Sequence, residues 1–118
     1  MIFLVESVDV RPDDVDAYVR AFESHYLPGA LDRGMELVGC WHTPTHIGED
    51  VTVTVIFRLP GWAEWEQIRN RAVGDPGVAA WVDVRRDLMI RGSRKFYEPA
   101  ALTTPVPPAQ SSRSSSGQ

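Results

Sequence analysis

Apolar positions along the first hundred residues change period several times, and each change marks an element. Ile2 to Val8 is a short β-type run. Arg11-Pro12-Asp13-Asp14 follows, where Pro and Asp suit the first turn of a helix. At about 100° per residue from Val15, the residues Val15, Tyr18, Val19, Ala21, Phe22, His25 and Tyr26 fall on one arc. Asp16, Arg20, Glu23 and Ser24 fall opposite. This predicts an amphipathic helix that ends near Pro28-Gly29, or one turn later at Arg33-Gly34.

Met35 to His42 and Val51 to Leu59 read as strands, the second opening on Val-Thr-Val-Thr-Val. The turn-forming composition of Thr43 to Asp50 joins them as a hairpin. Past Pro60-Gly61, Trp62, Trp65, Ile68, Ala72 and Val73 share one helical face. Asp75-Pro76 is an N-cap followed by a proline in the first helical position. It opens a further helix whose apolar arc holds Val78, Trp81, Val82, Val84, Leu88 and Met89. Ile90 to Glu98 is a last, weakly patterned strand. The order β-α-β-β-α-α-β, with the two later helices as one broken crossover, predicts an α+β fold: a ferredoxin-like antiparallel sheet with helices on one face.

An antiparallel sheet with one wet face should alternate apolar and polar residues. The second strand instead sets Met35, Leu37 and Trp41 on one face and Val38 and Cys40 on the other. The third sets Val51, Val53, Val55, Phe57 and Leu59 against a row that includes Ile56. Helices cover one face only, so a second copy of the chain is expected on the other, giving a dimeric α/β barrel.

Composition narrows the functional classes. From Pro99 onward, Ala, Thr, Pro, Ser and Gln dominate, so residues 1 to 98 are read as the domain and 99 to 118 as a disordered tail. The domain carries 11 basic against 16 acidic side chains, and a net-acidic surface without a basic run argues against nucleic acid or an anionic membrane as partner. The single cysteine, Cys40, fits a reducing compartment. Met1 to Val5 lacks the features of a signal peptide, and no apolar run is long enough to span a bilayer. A cytoplasmic location is expected.

Several local patterns occur in a telling order: Ile2-Phe3, then Pro12 leading to Tyr18 and Phe22, then Leu27-Pro28 and Gly34. Leu37-Val38-Gly39-Cys40-Trp41 follows, then Ala63-Glu64, Arg69, Asp75-Pro76, Trp81, Ser93-Arg94 and Glu98-Pro99. Across residues 1 to 98 this chain resembles the NIPSNAP family of the dimeric α/β-barrel superfamily. The resemblance implies a ferredoxin-like subunit, dimerisation sheet to sheet, and a ligand cavity between sheet and helices. It implies no reaction, since superfamily relatives include cofactor-free monooxygenases, isomerases, polyketide cyclases and haem-handling proteins, and fold does not choose among these. The chain also departs from the family. Where members often carry Glu-Leu-Arg in the first strand, it has Leu4-Val5-Glu6.

The candidate chemistry lies in polar residues caught on apolar arcs. His25 sits inside the apolar face of the first helix, which suits a general base, or else a core-edge histidine bonded to backbone. Arg69 projects between Trp62 and Trp65, and Arg85 between Trp81 and Val78. Each could hold a carboxylate or enolate, or simply stack on tryptophan and reach for water. The four tryptophans are core by default and pocket lining otherwise. His42 and His46 straddle a proline turn, which is poor spacing for a metal, and no metal is expected. Without a phosphate loop, a nucleophile elbow or paired cysteines, no cofactor is expected either.

The expectation is a homodimer binding a small apolar or aromatic molecule that can be acidic. Its reaction class would be cofactor-independent monooxygenation, isomerisation or cyclisation; the alternative is a non-catalytic ligand-binding or interaction dimer. Tyr18, Tyr26, Trp41, His42, Trp65 and Trp81 would shape the pocket. Arg69 or Arg85 would hold the anion, and His25 would move a proton.

Overall fold

A computed structural model describes residues 1–103. The expected disordered tail lies, from residue 104 on, outside the described residues. Strand β1 (Ile2–Val10) leads through a single 3-10 turn, Pro12–Asp14, into α1 (Val15–Ala21). The helical path continues through a π turn, Phe22–Tyr26, into α2 (Leu27–Asp32). The hairpin β2 (Glu36–His42) and β3 (Val51–Leu59) follows, then α3 (Trp62–Ala72), α4 (Pro76–Leu88) and β4 (Arg91–Tyr97). The sheet order is β2-β3-β1-β4 with every neighbouring pair antiparallel, which is the ferredoxin-like arrangement.

The period-2 pattern of β1 and β3 decides which face the helices take. Across this central pair, Ile2 stands opposite Leu59, Leu4 opposite Phe57, Val8 opposite Val53 and Val10 opposite Val51. All eight are buried, and the helical layer lies over them. The one polar member of this inward row is Glu6, opposite Val55.

The first helical segment runs on to Arg33 because it has a complete stop there. Gly34 takes a positive φ of 100°, and its N–H donates to the Leu31 carbonyl while that of Met35 donates to the Ala30 carbonyl. Within the segment, the π turn corrects the expected placement of His25. Its i→i+5 bonding widens the helix, so each residue advances by a smaller angle than a uniform α-helix would give. Phe22 and Tyr26 are thereby kept over Phe57, with ring centroids 6.2 and 6.1 Å away, and His25 is turned out to solvent.

A second one-residue shift occurs in β2. Leu37 pairs with Phe57 but Gly39 pairs with Ile56, so Val38 is the extra residue of a bulge. Beyond it the faces exchange. Cys40 and His42 align with inward Val55 and Val53, whereas Trp41 aligns with Thr54 on the face the helices leave open. The expectation that Trp41 shares a face with Met35 and Leu37 is therefore corrected. Trp41 folds back over Gly39, its indole standing where a Cβ would lie, so a side chain at this position would displace the exposed indole. On α4 the apolar arc is as expected except for Val82, which is 47% exposed, and on α3 Ile68 is buried while Trp62 is 49% exposed.

One buried ion pair ties the first helical segment to α4. Arg33, the buried charged residue of the domain, donates to Asp75 Oδ2 at 2.5 Å. Asp75 Oδ1 accepts from the Gly77 N–H at 2.8 Å and so caps α4. The Gly77 N–H and the Arg33 guanidinium hold the Asp75 carboxyl below its ordinary pKa. The segments approach closely enough that a Cβ on Gly77 would stand 2.5 Å from the His25 carbonyl oxygen.

The partners of this pair are unequal: the Arg33 side chain is 5% exposed and that of Asp75 26%. Asp75→Ala strands a guanidinium out of reach of water and removes the cap, so we expect its Tm to fall by roughly 10 °C or more. Arg33→Met leaves Asp75 hydrated and still capping, and its Tm should fall by less than half as much. Thermal denaturation followed by circular dichroism checks the order; equal losses would show that desolvation of Arg33 does not govern the pair.

Candidate functional site

The helical layer thins over β4. Facing inward from this edge strand, in register with Val8, Glu6 and Leu4, are Gly92, Arg94 and Phe96. Gly92 and Arg94 are exposed and Phe96 is half-buried, so the inner face of the sheet is left partly open along this edge. From α3, Trp62 and Trp65 pack on Phe96 with centroids 5.1 and 5.3 Å away.

On this open edge lies an ion pair across strands. Glu6 Oε2 accepts from Arg94 Nε at 2.7 Å, and Arg94 Nη2 lies 2.7 Å from the same oxygen as an ion pair. The Arg94 guanidinium carbon lies 5.9 Å from the Trp65 ring centroid, within cation–π range. The Glu6 side chain is 16% exposed and that of Arg94 48%. Because both Arg94 nitrogens address Oε2, Glu6 Oε1 has no hydrogen-bond partner among the described residues. It is not sealed in either, since the fully buried unpartnered side-chain atom among those residues is Arg33 Nε.

The helical layer beside Glu6 is formed by α1 and α4. Trp81 is buried with its ring 4.9 Å from that of Tyr18, edge to face. One helical turn beyond Trp81, Arg85 is half-buried, and no carboxylate lies within ion-pairing distance of it among the described residues. Arg85 stands beside the Tyr18 hydroxyl. Burial pushes the Tyr18 pKa up to about 12, with the Arg85 charge opposing and the Glu6 charge adding to the rise. The Tyr26 pKa is also raised by burial. Both hydroxyls are thus proton donors at neutral pH, and that of Tyr26 is directed to Met35 Sδ at 3.9 Å.

Of the residues expected to form a site, Trp65 flanks the Glu6–Arg94 pair and Arg85 stands beside Tyr18, while Tyr18 and Trp81 are buried in the core and Tyr26 is packed against it. The other four lie elsewhere. His25 is exposed. Arg69 is exposed, donates to Glu66 Oε2 at 2.8 Å, and lies on the rim of a separate groove of about 460 Å³ lined by Ala72, Val73, Pro76 and Val78. Trp41 is on the open sheet face, and His42 is exposed with Nδ1 donating to the Thr43 carbonyl at 2.7 Å. Glu6 and Arg94 were not expected in a site. An acid at the inward phase of Ile2, Leu4, Val8 and Val10 was the legible signal for Glu6; the cross-strand partner was not legible. This chain therefore carries an acid and a base together on its first strand's inner face, but the base comes from β4.

A broader depression of about 820 Å³ lies between Arg11–Asp14 and the hairpin loop around Ile47, and an adjoining one of about 320 Å³ that shares Pro12, Asp13 and Thr45 is lined by His42. Among the described residues no cluster of three His, Cys, Asp or Glu side chains is placed to hold a metal ion. None of their helices is long and apolar enough to cross a membrane.

The NIPSNAP family model matches residues 6–103. Among solved structures, a protein of Agrobacterium tumefaciens is similar over 85% of this chain and 94% of its own, with 22% identity and a TM-score of 0.67. An uncharacterised NIPSNAP domain protein of Burkholderia xenovorans is similar over 89% and 100%, with 16% identity and a TM-score of 0.69. A Nitrosomonas europaea protein, provisionally described as an antibiotic biosynthesis monooxygenase, is similar over 86% and 100%, with 11% identity and a TM-score of 0.64. At these identities the likeness speaks for the fold. A comparison with curated proteins finds no match.

The raised pKa of Tyr18 sets an alkaline limit on the site. Its proton is held more tightly in the folded chain, so the stability it contributes is whole below the ordinary value of 10.0 and is lost as pH rises toward about 12. Ultraviolet titration of the native chain should show a tyrosine component that ionises only near that upper value, and Tyr18→Phe should remove it. A titration unchanged by Tyr18→Phe would show that the hydroxyl is not held in this way.

Proposed function

This chain belongs to the NIPSNAP family, and from that premise we propose that it works as a homodimer binding a small organic molecule at the open sheet edge above Glu6 and Arg94. The ligand is apolar or aromatic and carries an acidic group. Half-buried Arg85, with no carboxylate of its own, is the observation that carries the binding reading: such a cation is costly unless hydrated or paired, and it stands where an anion can enter. Half-buried Trp65 offers the ligand an aromatic surface, while Tyr18 and Trp81 are buried in the core.

The dimer reading rests on the other face of the sheet. Phe3, Val5 and Ile56 lie at its centre, only partly buried, and Trp41 and Tyr97 on its edge strands are 51% and 50% exposed. An aromatic and β-branched surface of this kind without a covering helix packs favourably on a second sheet. A copy of this chain supplies one.

For a catalytic version, the reaction class in keeping with this fold is cofactor-independent oxygenation, isomerisation or cyclisation, and the Nitrosomonas europaea likeness supports it. The non-catalytic version, a binding or interaction dimer, is favoured by two observations. His25 faces solvent, and Tyr18, Phe22 and Trp81 fill the space beneath the first helical segment.

Light scattering coupled to size exclusion tests the assembly. The native chain at micromolar concentration should have twice the 13.2 kDa chain mass, and Ile56→Glu should reduce it to the single-chain value with an unchanged circular dichroism spectrum. A native species of single-chain mass would remove the barrel.

A further inference from the structure

The last strand ends against an aromatic patch that the domain leaves partly open. Trp62, at the start of α3, is 49% exposed, and its ring stands 5.1 Å from that of half-buried Phe96. Trp65, also half-buried, packs on the same ring at 5.3 Å. The Trp62 indole N–H already donates to Glu98 Oε2 at 2.9 Å, so what the patch still offers is apolar ring surface. The same bond steers the chain. Glu98 directly follows β4 and is in phase with inward Phe96 and Arg94, so the backbone leaves the sheet on its helical side, beside Trp62.

Past the described residues the sequence continues Thr104-Pro105-Val106-Pro107-Pro108. Such a stretch cannot build a core of its own. Docking on an aromatic surface that already exists is a different matter, because proline fixes φ near the polyproline II value and little further ordering is needed. Four residues in that conformation cover about 12 Å, enough to cross Trp62 and Phe96. Residues 99–104 tether the stretch to Glu98 and span at most about 20 Å when extended, which holds it near the patch at an effective concentration on the order of millimolar. A separate proline-rich partner lacks that advantage.

We propose that residues 105–108 fold back over Trp62 and Phe96 as a polyproline strap, with proline rings and Val106 packing on the open aromatic surface. The strap borders the Glu6–Arg94 edge through Trp65, but the inference depends on neither the ligand reading nor the dimer reading.

Nuclear magnetic resonance on the full chain tests it. The Trp62 indole signal, identified as the one lost in Trp62→Phe, should show nuclear Overhauser contacts to the Val106 methyls and to proline ring protons. Pro105→Gly, Pro107→Gly and Pro108→Gly together keep the length of the chain and lie outside the described domain, so the combined variant should retain its fold by circular dichroism. It should lose those contacts and shift the Trp62 and Phe96 signals, with Trp41 and Trp81 left in place. Val106→Asp, which keeps every proline, should weaken the same contacts several-fold. A Trp62 signal without such contacts and indifferent to the glycine variant overturns the strap. Contacts seen only between labelled and unlabelled copies in a mixed sample put the segment on a second chain and overturn its assignment to its own.

Discussion

The inward row of the central strand pair is the constraint from which the rest of the structure follows. Ile2, Leu4, Val8 and Val10 on β1 meet Leu59, Phe57, Val53 and Val51 on β3 with almost no exposure. Burying side chains of this size contributes about 1.5–3 kcal/mol each before entropy is charged against it. The helices must therefore lie on this face. Their aromatic residues are distributed accordingly: Phe22 and Tyr26 sit over Phe57, and Trp81 packs on Tyr18 and Phe22. Arg33 and Asp75 then clamp the far end of the first helical segment to the start of α4, fixing where Trp81, and with it Arg85, can lie.

Two single-residue insertions adapt regular elements to this row, and each does so by changing phase. The π turn keeps Phe22 and Tyr26 in line where a uniform α-helix would drift off the strand direction. The bulge at Val38 changes which residues of β2 face the helices and carries Trp41 to the open face. Neither feature has a sequence signature as plain as an N-cap or a glycine stop. Extrapolating a constant period through them placed His25 on the buried arc and Trp41 with Leu37. Elements whose cues were local were legible: Val51–Leu59 from strict alternation, α4 from Asp75-Pro76, and the later of the two helix stops from Gly34. The ion pairs that shape the site were not. Arg33 and Asp75 are 42 residues apart, and Glu6 and Arg94 are 88 apart, so only the assembled sheet and helices bring them together.

Where the inner face of the sheet opens follows from the same row. A carboxylate on the inner face of a central strand is tolerable only if its desolvation is offset or incomplete. Glu6 meets both conditions because its neighbour toward the sheet edge is β4, where the helical cover is thin and Arg94 can pair with it while remaining 48% exposed. Had the acid stood on β3, at Val55 for example, its flanks would be Glu6 on β1 and Cys40 on β2, with no edge arginine in register. Polar chemistry on this fold is thus drawn toward the β1–β4 side, and the apolar mass under the first helical segment toward the β1–β3 side. Successive residues of β1 point to opposite faces, so Val5 and Glu6 belong to different surfaces of one strand. The proposed dimer face and the proposed ligand site are therefore separated by a single sheet and share its register. A change of strand register would move both together, whereas a change of side chain at Val5 or Glu6 would move only one.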